Sequence, residues 1–87
     1  MVLGVKGYGG HLRKAGEQAV AHLDVAIQLN GYIYGAYYER GQAHFALKDF
    51  RLAIKDFKRC LELDPTRDKK VQALIEEAQK HHDTRKV

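Results

Sequence analysis

The chain has 87 residues, of which 45% are hydrophobic and 30% are charged, and its formal net charge is +4. This composition is typical of one small globular domain and excludes disordered, collagen-like and mucin-like chains. It also contains no apolar run long enough to span a membrane, and its net charge is too small to indicate nucleic-acid binding unless the basic residues form a patch.

The first segment, residues 1–13, is rich in glycine, with glycines at positions 4, 7, 9 and 10. Each glycine inside a helix costs about 1 kcal/mol relative to alanine. We therefore expect residues 1–10 to be irregular or only partly helical, and we interpret residues 1–13 as a glycine-rich leader or a degenerate first helix.

Three amphipathic segments follow, over residues 16–29, 33–47 and 50–63. Apolar side chains recur at every third or fourth position in each of them, so that each predicts a helix with one apolar face. The first of these amphipathic segments is the second helix of a partial repeat that we place at residues 14–30. The other two form a helix pair within residues 31–67.

The signals at the ends of the third amphipathic segment are the clearest in the chain. Asp49 precedes it, where a side-chain oxygen is expected to accept a hydrogen bond from the first free amides. Asp64 and Pro65 end it, because proline disfavours the helical conformation of the residue before it. A last predicted helix occupies residues 68–82, and the polar residues 83–87 are expected to fray.

The chain resembles itself after a shift of about 34 residues, an interval typical of helical repeats. In this shift three pairs keep their size class: Ala19 with Ala53, Val20 with Ile54, and Leu23 with Phe57. The pattern of small and large residues over Tyr34–Arg67 resembles the tetratricopeptide repeat family. The second helix of the preceding unit shares the resemblance.

This resemblance implies an all-α fold of antiparallel helix-pair repeats, a short α-solenoid with a C-terminal capping helix. It also implies which side chains pack within the repeat: Tyr37, Gly41, His44, Ala53, Phe57, Cys60 and Pro65. Two positions depart from the family pattern, since Arg40 stands where an apolar residue is usual and His44 where a tyrosine is usual.

Tyrosines are concentrated around the start of the second amphipathic segment. One helix face there carries Tyr38, Gln42 and Phe45, and it differs from the face that carries Tyr37 and Gly41. In the tetratricopeptide repeat family this second face lines a concave groove, so the resemblance implies a groove for an extended peptide or a partner helix. The expected groove residues are Tyr34, Tyr38, Gln42, Phe45, Lys69 and Gln72. The alternative is that Tyr38 and Phe45 simply pack against the capping helix.

No combination of residues predicts catalysis or a bound cofactor. The chain has no serine, and its one cysteine, Cys60, stands where the repeat has a small buried side chain. His81 and His82 are adjacent, so on a helix they point about 100° apart and do not chelate a metal as a pair. We expect both to be solvated, and we expect a non-catalytic protein without a metal or another cofactor.

The expected partner is therefore a protein or a peptide. If residues 1–13 form no helix, the apolar face of residues 16–29 lacks an inner partner, which favours a homo-oligomer or a domain swap through residues 30–33. Residues 1–10 lack the apolar core of a signal peptide, and we expect a cytoplasmic protein that does not interact with membranes.

A second function class is kept as an alternative. It is a basic helical adaptor that binds RNA or another polyanion through one face of the third amphipathic segment: Arg51, Lys55, Lys58 and Arg59. Nucleic-acid binding is the less favoured of the two, because such surfaces interleave aromatic side chains with the basic ones and the aromatic residues here lie on the preceding segment.

Overall fold

A computed structural model describes the backbone of residues 2–86 and the side chains of residues 13–82. Within this part of the chain there are four α-helices, one short 3-10 turn at Pro65–Arg67 and no strand. The helices are α1 (Val2–Leu29), α2 (Tyr34–Ala46), α3 (Phe50–Leu63) and α4 (Asp68–Lys86). The prediction of an all-α fold is confirmed.

Each helix packs against the next one in the chain, so that α2 lies against α1 and α3, and α3 lies against α2 and α4. The resulting molecule measures 46 × 34 × 19 Å along its principal axes. Contacts between sequential neighbours are the arrangement of a helical-repeat array. The core lies where α2, α3 and α4 meet, and its most buried side chains are Tyr37, Ala53, Phe57, Cys60, Val71 and Ile75.

The expectation that residues 1–10 are irregular or only partly helical is wrong, because α1 is one continuous helix from Val2. Residues 2–29 contain no proline, and a glycine weakens a helix without removing its backbone hydrogen bonds. Once a helix has formed over residues 16–29, extending it costs little, since nucleation is the unfavourable step. The glycine-rich stretch and the amphipathic segment of residues 16–29 therefore form one continuous helix, and no helix pair forms within residues 1–30.

The two turns around α3 are set by local backbone conformation. Lys48 has a φ of 66°, in the left-handed region, and the Asp49 amide donates to the His44 carbonyl oxygen at 2.8 Å. Asp49 does precede α3, but its side chain makes no capping hydrogen bond, so that prediction is wrong. The turn is closed by main-chain bonds instead.

The predicted end of α3 is confirmed at Asp64, whose backbone is extended, with φ −148° and ψ 86°. The Asp64 carboxylate accepts hydrogen bonds from the amide and the hydroxyl of Thr66, which shapes the 3-10 turn before α4. The backbone of α4 is helical as far as Lys86, although the sequence predicts fraying after residue 82. No glycine or proline interrupts this stretch, and so the helix continues at little cost.

Candidate functional site

The orientation of α2 is fixed by a close contact between Gly41 and Phe57 on α3. A Cβ atom added at Gly41 would lie 2.6 Å from Cε1 of Phe57, and Phe57 is fully buried. Tyr37 and His44 are buried on the same face of α2. Because the helix repeats every 3.6 residues, this contact turns Tyr38 toward a different side, which is where the candidate site lies.

That site is an open cleft of about 630 Å³ between the start of α2 and the start of α4. We call it the tyrosine cleft, and it is lined by Tyr34, Tyr38, Thr66, Arg67, Asp68, Lys69 and Lys70. The ring centroids of Tyr34 and Tyr38 lie 6.1 Å apart, one helical turn along α2. The Tyr38 ring also lies 6.1 Å from the ring of Phe57, which anchors it to the core.

Two cations from the α4 side lie over the two tyrosine rings. The guanidinium of Arg67 is 4.9 Å from the Tyr34 ring centroid, and Nζ of Lys70 is 5.5 Å from the Tyr38 centroid. The negative face of an aromatic ring attracts such groups. Each ring therefore has a positive charge beside it, and these contacts connect α2 to the segment that begins α4.

The electrostatics of the tyrosine cleft are positive. Three cations line it and one carboxylate, that of Asp68. Hydrogen bonds from Thr66 hold the pKa of Asp64 below its usual range, so this carboxylate stays charged and pairs with Arg67 at 3.4 Å. Burial raises the pKa of Tyr34, which keeps its phenol neutral. The cleft can offer aromatic surface and positive charge.

The structure brings only part of the expected groove together. Lys69 lines the tyrosine cleft with Tyr34 and Tyr38. Gln42 is exposed on α2, and Gln72 is exposed and lines a separate cleft of about 280 Å³ beside α3. The predicted groove residues are thus distributed along the molecule, and Tyr34, Tyr38 and Lys69 are the ones that line the tyrosine cleft.

Phe45 lies at the other end of α2, where an aromatic cluster joins three helices. Its ring is 5.2 Å from Phe50 and 5.7 Å from His81, and His81 stacks on Phe50 at 5.0 Å. The alternative of packing against the last helix therefore describes Phe45. The sequence predicts a solvated His81, but one face of its ring is in contact with Phe50. The spacing of Ile75, Ala78 and His81 on α4 is the signal that could have placed His81 on the inner face.

Two side chains that line the cleft, Arg67 and Lys70, are missing from the groove predicted from the sequence. Both belong to the run of charged residues 67–70, just before and at the start of α4. From the sequence, each residue of this run is expected to be exposed to solvent. Their contact with the tyrosines depends on how α4 packs against α2. No periodic signal in the sequence distinguishes them from Lys69.

Cys60 is a free cysteine, and its side chain is fully buried. Burial, with a smaller contribution from the charge of Asp56, raises the pKa of its thiol to about 11. The thiol is therefore protonated and inert near neutral pH. Among the described side chains, no group of three or more His, Cys, Asp or Glu residues could hold a metal ion.

A search of the described helices for a membrane-spanning segment finds none with the necessary length and hydrophobicity.

Comparison with known families identifies residues 34–67: they match the family model of the tetratricopeptide repeat. The matched segment consists of α2, α3 and the 3-10 turn before α4, and so it contains both residues of the Gly41–Phe57 contact. No curated protein and no solved structure is significantly similar to the chain.

Proposed function

We propose that this chain, whose residues 34–67 form a tetratricopeptide repeat, is a non-catalytic protein-interaction module of the cytoplasm. It binds an extended peptide or a partner helix along the face of α2 that carries Tyr34 and Tyr38. The observation that carries the proposal is the tyrosine cleft, where two half-buried tyrosine rings line an opening of about 630 Å³. Tyrosine offers a large contact area and a polar tip, and it is enriched among residues that dominate binding energy.

The proposed binding surface extends from the tyrosine cleft along α2 and α4. Tyr34, Tyr38 and Lys69 form its centre, and exposed side chains such as Gln42 continue it at the rim, whereas Phe45 packs against α4 and Gln72 lines the separate cleft beside α3. A partner that buries the two tyrosine rings gains most of its affinity there, because hot spots are few and lie near the centre of an interface. The rim residues contribute shape and exclude water.

The test begins with peptides selected from a display library on the wild-type protein, whose affinities are then measured by calorimetry. Tyr38→Ala is expected to weaken binding about thirty-fold, the loss typical of a hot-spot residue. The matched control is Tyr32→Ala, because Tyr32 is 77% exposed and does not line the cleft. Circular dichroism establishes that both variants are folded. Equal losses in the two variants, or no loss in Tyr38→Ala, contradict the proposal.

We also propose weak self-association through the outer face of α1. In the apolar face predicted for residues 16–29, the side chains of Ala19, Val20, Leu23 and Ile27 are half-buried. This face is therefore not the one that is available to a second copy. Among the described side chains of α1, the exposed large apolar ones are Val25, at 55%, and Leu29, at 83%. A second copy of the chain can cover them with the same face. Sedimentation equilibrium should give a higher average mass for wild type than for Val25→Lys/Leu29→Lys, and equal masses contradict it.

The turn between α1 and α2 argues against association by domain exchange. The carbonyl oxygen of Gly31 accepts hydrogen bonds from the Tyr37 hydroxyl, at 3.0 Å, and from Arg59, at 3.2 Å. The Asn30 side chain accepts one from the amide of Tyr32. A swap through residues 30–33 would break this set of bonds, and so we propose an association that leaves the turn closed.

A basic adaptor for RNA or another polyanion is the second candidate. The guanidinium of Arg59 lies 5.8 Å from the ring centroid of the exposed Tyr32, which places one aromatic side chain beside the basic face of α3. However, Arg59 already bonds to Glu62 and to Gly31. Affinity for single-stranded RNA that falls steeply with salt, and that Arg51→Gln/Lys55→Gln weakens, would favour this candidate over the interaction module.

A further inference from the structure

The cations of the tyrosine cleft differ in how far their charges are already neutralised. Arg67 pairs with Asp64 through a contact of 3.4 Å, in which the arginine side chain is mostly exposed. Lys69 and Lys70 are exposed, and neither forms an ion pair with a carboxylate of the described side chains. An exposed pair such as Arg67–Asp64 is weak and can be exchanged for another carboxylate. The cleft therefore holds positive charge that a ligand can still neutralise.

Two cations of the cleft each lie over one tyrosine ring. Arg67 lies over Tyr34 and Lys70 over Tyr38, and the two ring centroids are 6.1 Å apart. In an extended peptide, side chains two residues apart point to the same side and are separated by about 6.7 Å. Side chains at alternate positions of an extended peptide can thus lie one beside each tyrosine ring, where a carboxylate also meets the cation that lies over that ring.

The rings also indicate which kind of polyanion fits. Single-stranded nucleic acids gain affinity when bases stack on free aromatic faces. Here Arg67 and Lys70 occupy one face of each tyrosine, which leaves less aromatic surface on which bases could stack. Carboxylate side chains need no stacking and approach from the open side of the cleft. The geometry is better matched to an acidic protein segment than to RNA.

We propose that the tyrosine cleft binds an extended acidic segment of a partner protein, with Asp or Glu at alternate positions facing Arg67 and Lys70. This inference rests on the proposed function, since it names the chemistry of the partner for the same groove. Cation–π contacts hold the two cations in place before binding, so less side-chain entropy is lost when the carboxylates arrive. The specificity lies in the spacing of the acidic residues and does not depend on a free chain terminus.

The test uses three synthetic peptides with acetylated and amidated ends and equal length. One has Glu at alternate positions, one has the same composition with its Glu residues consecutive, and one has Gln in place of Glu. Calorimetry should show the alternating peptide binding about ten-fold more tightly than the other two. The inference is overturned if the peptide with consecutive Glu residues, or the peptide with Gln in place of Glu, binds as tightly as the alternating peptide.

Two double variants separate local recognition from general attraction. Arg67→Gln/Lys70→Gln should lose about ten-fold in affinity for the alternating peptide. Arg51→Gln/Lys55→Gln also removes two positive charges, but from the exposed face of α3, and it should change the affinity less than about two-fold. Equal losses in both variants, or displacement of the peptide by single-stranded RNA, overturn the inference.

Failure of this inference can be told apart from failure of the proposed function. If library-selected neutral peptides bind and depend on Tyr38, the interaction module stands and only the acidic specificity is wrong. If no peptide of any charge binds in a way that depends on Tyr38, the proposed function itself is wrong. The charge variants and the tyrosine variant therefore report on separate claims.

Discussion

The guanidinium of Arg40 binds the carboxylate of Asp56 through two parallel hydrogen bonds, of 2.9 and 2.7 Å. Its third hydrogen bond, also 2.7 Å, goes to Asp24 on α1. A single side chain of α2 thus connects α1 with α3. These hydrogen bonds, those to Asp56 first, raise the pKa of Arg40. The departure of Arg40 from the family pattern is explained by this network, because an apolar side chain could not satisfy Asp56.

Removing Arg40 should destabilise the protein strongly. Asp56 is only 3% exposed, so Arg40→Met leaves a buried carboxylate without its partner, at a cost of about 3 kcal/mol. Asp24→Asn, at the exposed end of the network, should cost less than about 1 kcal/mol. Urea unfolding measures both. The account is wrong if the two substitutions cost the same.

Gly41 should not tolerate a methyl group. Gly41→Ala places its Cβ against the buried Phe57 ring and should destabilise the protein by about 1–3 kcal/mol, despite the better helix propensity of alanine. Gly35→Ala is the matched control, because nothing lies within 4 Å of its Cβ position. This second substitution should stabilise α2 by about 0.5 kcal/mol. Thermal unfolding of the two variants should shift in opposite directions, and a shared direction would contradict the predicted contact.

Lys48→Gly should stabilise the turn between α2 and α3. Lys48 has a φ of 66°, a conformation that costs residues with a Cβ about 1 kcal/mol and that glycine adopts freely. The expected gain is about 0.5–1 kcal/mol in the free energy of unfolding. Lys55→Gly, at an exposed position inside α3, should lose about 1 kcal/mol. If Lys48→Gly also destabilises, the left-handed conformation is not the strained feature of this turn.

Cys60 should make the stability of the protein depend on alkaline pH. Its folded-state pKa is raised to about 11, whereas an unfolded cysteine titrates near 8.5. The stabilising contribution is therefore complete below pH ~8.5 and is lost as the pH rises through ~11. Cys60→Ala lacks this contribution, so its stability should decline less steeply over the same range. Parallel curves for the two proteins would show that the thiol is not protected from ionisation.

The sequence predicted the elements whose signals are local. The bounds of α3 follow from the apolar period of Phe57 and its neighbours and from Asp64 before Pro65, and both signals act within one helix. The prediction for residues 1–10 is wrong because it rests on the glycines alone, whereas an established helix extends across them at little further cost. Arg67 and Lys70 could not be identified, because cation–π contacts with Tyr34 and Tyr38 require the tertiary approach of α4.

The central claim is that the tyrosine cleft is the binding surface of this protein, and backbone amide chemical shifts test it most directly. On titration with a library-selected peptide, the shifts should change at Tyr34, Tyr38, Lys69 and Lys70 and remain unchanged at Lys55 on the outer face of α3. Changes concentrated around Lys55, with none at the two tyrosines, would contradict the account.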